Sequence, residues 1–245
     1  MDQLVTAKAE KLLVALDLPS GAEALALADR VRDVVGGFKV GNRLFTTEGP
    51  DFVRALGRNG DRVFLDLKFH DIPNTVATAV SAATSLGVWM VNVHAAGGLR
   101  MMQAARDAAR ETAVAEGRTS PLVIAVTVLT SMHDAALSET GVPGPVLDQV
   151  LRLADLAQNA GIDGVVASPQ ETALLRARCG ADFTIVTPGI RGGAATTSGK
   201  DDQERTMGPA EAIEAGASYL VVGRPIIAAA NARKAAESIA AATIG

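Results

Sequence analysis

Short apolar runs recur along the chain, separated by longer segments whose apolar positions are spaced for one face of a helix. The first run, Leu12 to Asp17, predicts a strand. Ser20 and Glu23 then form a capping-box pattern that opens a helix to about Val35. Phe38–Gly41 predicts a second strand, with a helix over Asn42 to Arg58. Arg62 to Lys68 predicts the third, and Pro73 suits the first turn of a helix over about Asn74 to Leu86. Val88 to His94 and Leu99 to Ala115 make the next strand–helix pair. Leu122 to Thr130 predicts the fifth strand, followed by a loop with Gly141, Pro143 and Gly144 and a helix from about Pro145 to Ala160. Asp163 to Ala167 predicts the sixth, and Ser168-Pro169-Gln170-Glu171 combines a capping box with proline at the first helical position. Phe183 to Val186 is followed by a loop from Pro188 to Met207 and a helix over Pro209 to Ala215. Tyr219 to Val222 and a helix over Asn231 to Ala242 complete the series.

Strict alternation of strand and helix means a parallel sheet, and strands apolar at nearly every position are buried on both faces. Eight such units fit a single (β/α)8 TIM barrel over residues 1–245, the chain being close to the ~250 residues the fold usually takes. A doubly wound open sheet is the alternative, but it rarely needs eight strictly alternating units. No linker or shift in composition divides the chain.

Composition then narrows the chemistry. Aromatics make up 3% of residues, so the core must be aliphatic. A net charge of −4 with no Lys/Arg run gives no reason to expect nucleic acid. The lone Cys179 excludes an internal disulfide and a cysteine zinc site, and His70, His94 and His133 are too scattered for a histidine metal cluster. No apolar run approaches the length of a membrane span. Met1-Asp2-Gln3-Leu4 lacks the basic and apolar regions of a signal peptide, so a cytoplasmic protein is expected.

A barrel does its chemistry at the C-terminal ends of its strands. The polar residues expected there are Asp17, Lys39, Asp66, Lys68, His94, Thr130, Ser131, Ser168, Thr187, Pro188, Arg191, Gly223 and Arg224. Within the strands the other polar residues are few: Thr127, Asn92, Asp163 and Thr184. The densest stretch is Asp66-Leu67-Lys68-Phe69-His70-Asp71-Ile72-Pro73-Asn74-Thr75. Strand periodicity points Asp66 and Lys68 the same way. A surface ion pair closing a strand would explain the first two equally well. Gly223-Arg224 offers a close backbone approach and a guanidinium where barrels often bind phosphate, and the long Arg191–Gly199 segment suits a binding loop. Together these favour a phosphorylated ligand. Asp17, Asp66 and Asp71 could in principle hold Mg²⁺, but Lys39 and Lys68 fall among them and neutralise the set without a cation.

The residues resemble the orotidine 5′-phosphate decarboxylase family over nearly the whole chain. The resemblance rests on Val14-Ala15-Leu16-Asp17, Lys39-Val40-Gly41, Asp66 to Thr75, Val93-His94-Ala95, Leu129-Thr130-Ser131, Thr187 to Arg191, Asp202-Gln203 and Gly223-Arg224-Pro225, and looks like the bacterial branch. The Asp-x-Lys-x-x-Asp core is shared with related phosphosugar decarboxylases; its extension to Thr75, with Gln203 and Arg224, is more specific. One position departs: the helix after the long loop usually opens with Thr-Pro, where this chain has Gly208-Pro209. The resemblance implies metal- and cofactor-independent decarboxylation of orotidine 5′-phosphate to UMP. It implies Lys68 as proton donor to C6, Asp66 against the substrate carboxylate, Lys39 bridging Asp66 and the ribose, and Asp17 on a ribose hydroxyl. Asp71 and Thr75 would act across a homodimer interface. Thr130 and Ser131 would contact the pyrimidine. Pro188, Gln203, Gly223 and Arg224 would surround the phosphate, with Arg191 supporting its loop. His94 is expected beside the lysine network and His70 in a structural hydrogen-bonding role, with His133 uninvolved and Trp89 and Met90 as packing.

Overall fold

The computed structural model describes residues 10–190 and 207–243. Eight parallel strands close into a barrel in sequence order. They are β1 (Leu12–Ala15), β2 (Gly37–Gly41), β3 (Val63–Phe69), β4 (Met90–His94), β5 (Leu122–Val126), β6 (Gly164–Val166), β7 (Thr184–Thr187) and β8 (Tyr219–Val222). Closure is made by β8 pairing with β1, Val222 opposite Val14.

Alternation along each strand sorts side chains into two cores. Leu12, Val14, Phe38, Val40, Leu65, Val91 and Val93 pack outward beneath the helices. Leu13, Ala15, Phe64, Met90, Ile124, Val186 and Val221 fill the interior. The interior begins at the N-terminal ends of the strands with Trp89 edge-on to Tyr219, ring centroids 5.0 Å apart, and the Arg62 guanidinium 5.4 Å from the Trp89 ring. The same parity that turns Phe64 and Met90 inward turns Asp66 and Asn92 inward one step higher. The barrel is therefore apolar at its floor and charged at its mouth.

The helical predictions hold with instructive differences. Ser20 caps the helix Gly21–Val31 by accepting from the Glu23 backbone N–H, and that helix ends before Val35. The helix expected over Asn42 to Arg58 is two, Asn42–Glu48 and Pro50–Arg58. Gly49 has φ +69° and Pro50 cannot supply the N–H that continuation requires. The fifth strand stops at Val126, and Thr127 just beyond it points both its backbone N–H and its Oγ1 at the Val166 carbonyl. Beyond it, the helix Asp134–Glu139 lies where only a loop was expected, capped by His133 Nδ1 accepting from the Ala136 N–H. Gly208-Pro209 does open a helix, Pro209–Glu214: the Gly208 N–H donates to Glu211 Oε2, which supplies part of the missing cap.

Candidate active site

The inward residues at the mouth form one network across the first four strands. Asp66 is its centre. Its Oδ1 accepts from Lys68 Nζ at 2.6 Å and from Asn92 Nδ2 at 2.7 Å, while its Oδ2 lies 3.3 Å from Lys39 Nζ. Lys39 Nζ also donates to Asp17 Oδ1 at 3.3 Å. Lys39 and Asp66 are buried, with Asp17 exposed and Lys68 half-buried.

Several local devices put these groups together. Lys39 rises from mid-β2 and needs space above it, and Gly41 gives it: a Cβ there would stand 3.0 Å from Lys39 Nζ. On β3 the pairing with β4 slips. Leu65 faces Val91 and Phe69 faces Val93, so three residues of β3 span the place of Asn92 alone. Within this bulge Lys68 has φ +53°, the one non-glycine residue with positive φ among the described residues. The Lys68 backbone N–H donates to Asn92 Oδ1 at 2.8 Å. Asp66 and Lys68 do share a side, as strand periodicity implied, but by a left-handed turn rather than by a regular pleat.

Electrostatics follow from this packing. Burial alone would raise the Asp66 carboxyl. The charges of Lys39 and Lys68, with hydrogen bonds from Lys68 and Asn92, outweigh burial and hold it below the usual carboxylate range. Burial pushes the His94 imidazole down, and His70 and Lys68 push the same way against an opposing pull from Asp66. The His70 and His94 rings lie 5.4 Å apart between centroids. His70 thus stands beside His94, and His94 is within electrostatic reach of Lys68 and Asp66.

The other residues divide by location. Asp71 and Thr75 are exposed on the segment leaving β3, where the Asp71 carboxylate accepts from the Ile72 N–H at 2.6 Å, outside the Lys39–Asp66–Lys68 network. Thr130 is half-buried and Ser131 exposed in the loop after β5. Pro188 follows β7. Gly223 lies beside Asp17: a Cβ built on it would be 3.7 Å from Asp17 Oδ2. Arg224 is exposed and begins the short helix Arg224–Ile227. Arg191 and Gln203 lie outside the described residues. Ser168 and Thr187, expected among the polar strand ends, are buried in helix support: the Ser168 N–H donates to Glu171 Oε2, and the Thr187 and Thr172 hydroxyls meet at 3.3 Å. Asn92 and Gly41 were given no site role from sequence. Asn92 did carry a signal, a lone amide amid Met90, Val91 and Val93.

Among the described residues no group of three or more His, Cys, Asp or Glu side chains is arranged to hold a metal ion, and no helix is long and apolar enough to cross a membrane. The fold and network together define a (β/α)8-barrel enzyme whose site is built from lysine–carboxylate pairs. Residues 10–239 match the orotidine 5′-phosphate decarboxylase / HUMPS family model, and the chain belongs to that family. It is 52% identical over 231 residues to orotidine 5′-phosphate decarboxylase of Pasteurella multocida (strain Pm70), covering 94% of this chain and 95% of the relative. To the protein of the same name from Moorella thermoacetica (strain ATCC 39073 / JCM 9320) it is 54% identical over 233 residues, covering 95% and 91%. The crystal structure of orotidine 5′-phosphate decarboxylase from Lactobacillus acidophilus superposes with a TM-score of 0.83 at 38% identity, covering 94% of this chain and 97% of that one.

Proposed function

We propose that this chain decarboxylates orotidine 5′-phosphate to UMP and CO₂ in pyrimidine nucleotide synthesis, without metal or cofactor, and that Lys68 is the proton donor. The observation that carries the proposal is the pairing of both lysines with one buried carboxylate at the barrel mouth. Nucleotide binding alone does not require a lysine held between carboxylates.

The reaction breaks the bond between C6 and its carboxylate and leaves the electron pair on C6, with no adjacent electron sink. A fixed ammonium in a preorganised site stabilises that charge most effectively. Lys68 meets the requirement: its Nζ is held 2.6 Å from Asp66 Oδ1, and it transfers a proton to C6 as CO₂ leaves. The resulting amine recovers a proton from water. Asp66, ionised and close to the substrate carboxylate, adds a smaller ground-state term. Asp17 and Lys39 take the ribose, a reading supported by their contact with each other at the barrel mouth. Gly223, beside Asp17, and Arg224 extend the site towards a phosphate, with Pro188, Arg191 and Gln203 contributing from the β7 side and Thr130 and Ser131 meeting the base. Phosphate binding remote from C6 then adds to transition-state stabilisation. Asp71 and Thr75 serve the neighbouring subunit of a homodimer, which is supported by their exposure outside the home network.

Following the absorbance of orotidine 5′-phosphate tests the reading. Turnover by the native chain is expected to be unchanged in excess EDTA; activity lost to EDTA and restored by Mg²⁺ would favour a phosphosugar lyase chemistry, and binding without turnover would favour a nucleotide sensor. Lys68→Ala is expected to lower kcat by at least about 10²–10³-fold, the scale of removing one electrostatic stabiliser, with UMP affinity largely kept. Near-normal turnover would remove Lys68 from the donor role.

A further inference from the structure

We propose that Asn92 is the positioning residue for Lys68: its side-chain amide clamps the Lys68 backbone and the Asp66 carboxylate together and so fixes where the ammonium stands. The proposal rests on the decarboxylase reading for its kinetic consequences and on geometry for the clamp itself.

Asn92 is 0% exposed, in a strand where its neighbours Val91 and Val93 are equally buried hydrophobes. A buried amide is costly unless both its ends are satisfied. Here both ends are satisfied by the two residues at the centre of the network: Nδ2 donates to Asp66 Oδ1 at 2.7 Å, and Oδ1 accepts from the Lys68 N–H at 2.8 Å. The orientation is forced, because an ionised carboxylate only accepts and a backbone N–H only donates. A hydrophobe of similar volume would fill the space but do neither.

The bulge explains why a side chain is needed. Where three β3 residues span one residue of β4, the regular ladder is interrupted, and Lys68 would bury an N–H with no carbonyl opposite it. Asn92 Oδ1 takes the place of that carbonyl and holds Lys68 at its positive φ. The side chain then returns to Asp66 Oδ1, the same oxygen that Asn92 Nδ2 binds. The result is a closed ring through Asp66, the Asn92 amide, the Lys68 backbone and the Lys68 ammonium. Removing the amide leaves Asp66 paired with Lys68 but frees the backbone from which Lys68 projects.

Two substitutions test this. Asn92→Ala is expected to lower kcat about 10²-fold, the scale of a misplacement of about 1 Å, with KM for orotidine 5′-phosphate and UMP affinity within about threefold of native. Asn92→Asp keeps the acceptor for the Lys68 N–H but sets a second carboxylate against Asp66. A proton shared by the two carboxyls would restore the missing donor. The ratio of Asn92→Asp to native kcat is therefore expected to rise as pH falls from about 8 to 5, while the Asn92→Ala ratio stays flat. Lys39 on β2, Asp17 after β1, Lys68 and His70 from β3 and its exit, and His94 on β4 also face this region; dividing by the native profile removes their common titrations. Native-like kcat in Asn92→Ala, a parallel loss of binding and turnover, or a pH-independent Asn92→Asp ratio would each overturn the proposal. If Asn92→Ala does not fold, the near-isosteric Asn92→Asp profile decides alone. If the native chain shows no turnover, the decarboxylase reading fails, and the clamp is judged from the crystal structure of Asn92→Ala: Lys68 should leave positive φ, and retention of positive φ would refute the clamp.

Discussion

Asp66 shows why a buried carboxylate can remain an anion: two ammoniums and an amide outweigh the cost of its burial. Its neighbour His94 shows the opposite balance. With its folded-state pKa below the unfolded value of about 6.5, the unfolded chain binds the proton more readily. Stability is therefore expected to fall as pH drops below about 6.5, by at most about 1.4 kcal/mol per pH unit from this group, until the lower folded pKa is reached. Urea unfolding at pH 7.5 and 5.5 checks it: His94→Gln should lose less stability than the native chain between the two, and an equal loss would assign the acid sensitivity elsewhere. Asp66 acts in the same direction at lower pH, since its contribution is lost only as pH falls through its depressed folded pKa. The identities of Asp66 and Lys68 were legible in the sequence because carboxylate and lysine at alternate positions of an apolar strand are conspicuous. The role of Asn92 was not, because it depends on a register slip that no local pattern announces.

At the scale of elements, strands are read well where apolar runs end in glycine or a charge, as at Gly41 and Val222. They are read poorly where polar chemistry is hidden, as at Thr127, whose hydroxyl bonds across to β6 just past the end of β5. Glycine pairing between strands is similarly silent. Gly164 on β6 faces Thr184 on β7, and a Cβ there would come within 2.0 Å of the Thr184 carbonyl oxygen. That neighbour is backbone and cannot swing aside, so Gly164→Ala must part the two strands. A loss of about 1–3 kcal/mol is expected, seen as a Tm lower by several degrees. An unchanged Tm would show that β6 and β7 have more slack than their register implies.

On the scale of the whole molecule, exposed polar and apolar side chains gather on the rim beyond β3, β4 and β5. Asp71 and Thr75 are exposed beside Ile72, which is 66% exposed, and Leu99 and Leu129 are also large exposed hydrophobes. A second copy seated on this rim would cover the apolar side chains and receive the polar ones. If sites are completed across a dimer, mixing inactive Lys68→Ala and Asp71→Ala proteins should restore part of the activity, since a mixed pair holds one site with both residues intact. No recovery despite demonstrated subunit exchange would confine each site to its own chain.

The far end of the barrel has a different use. The chain has one tryptophan and one tyrosine, and they meet edge-on at the floor, joining the residue before β4 to the first residue of β8. The indole thus sits where the last strand must arrive for the cylinder to close, with the interior apolar layer between it and the charged mouth. Its fluorescence is a resident optical gauge of barrel closure, separated by architecture from events at the mouth.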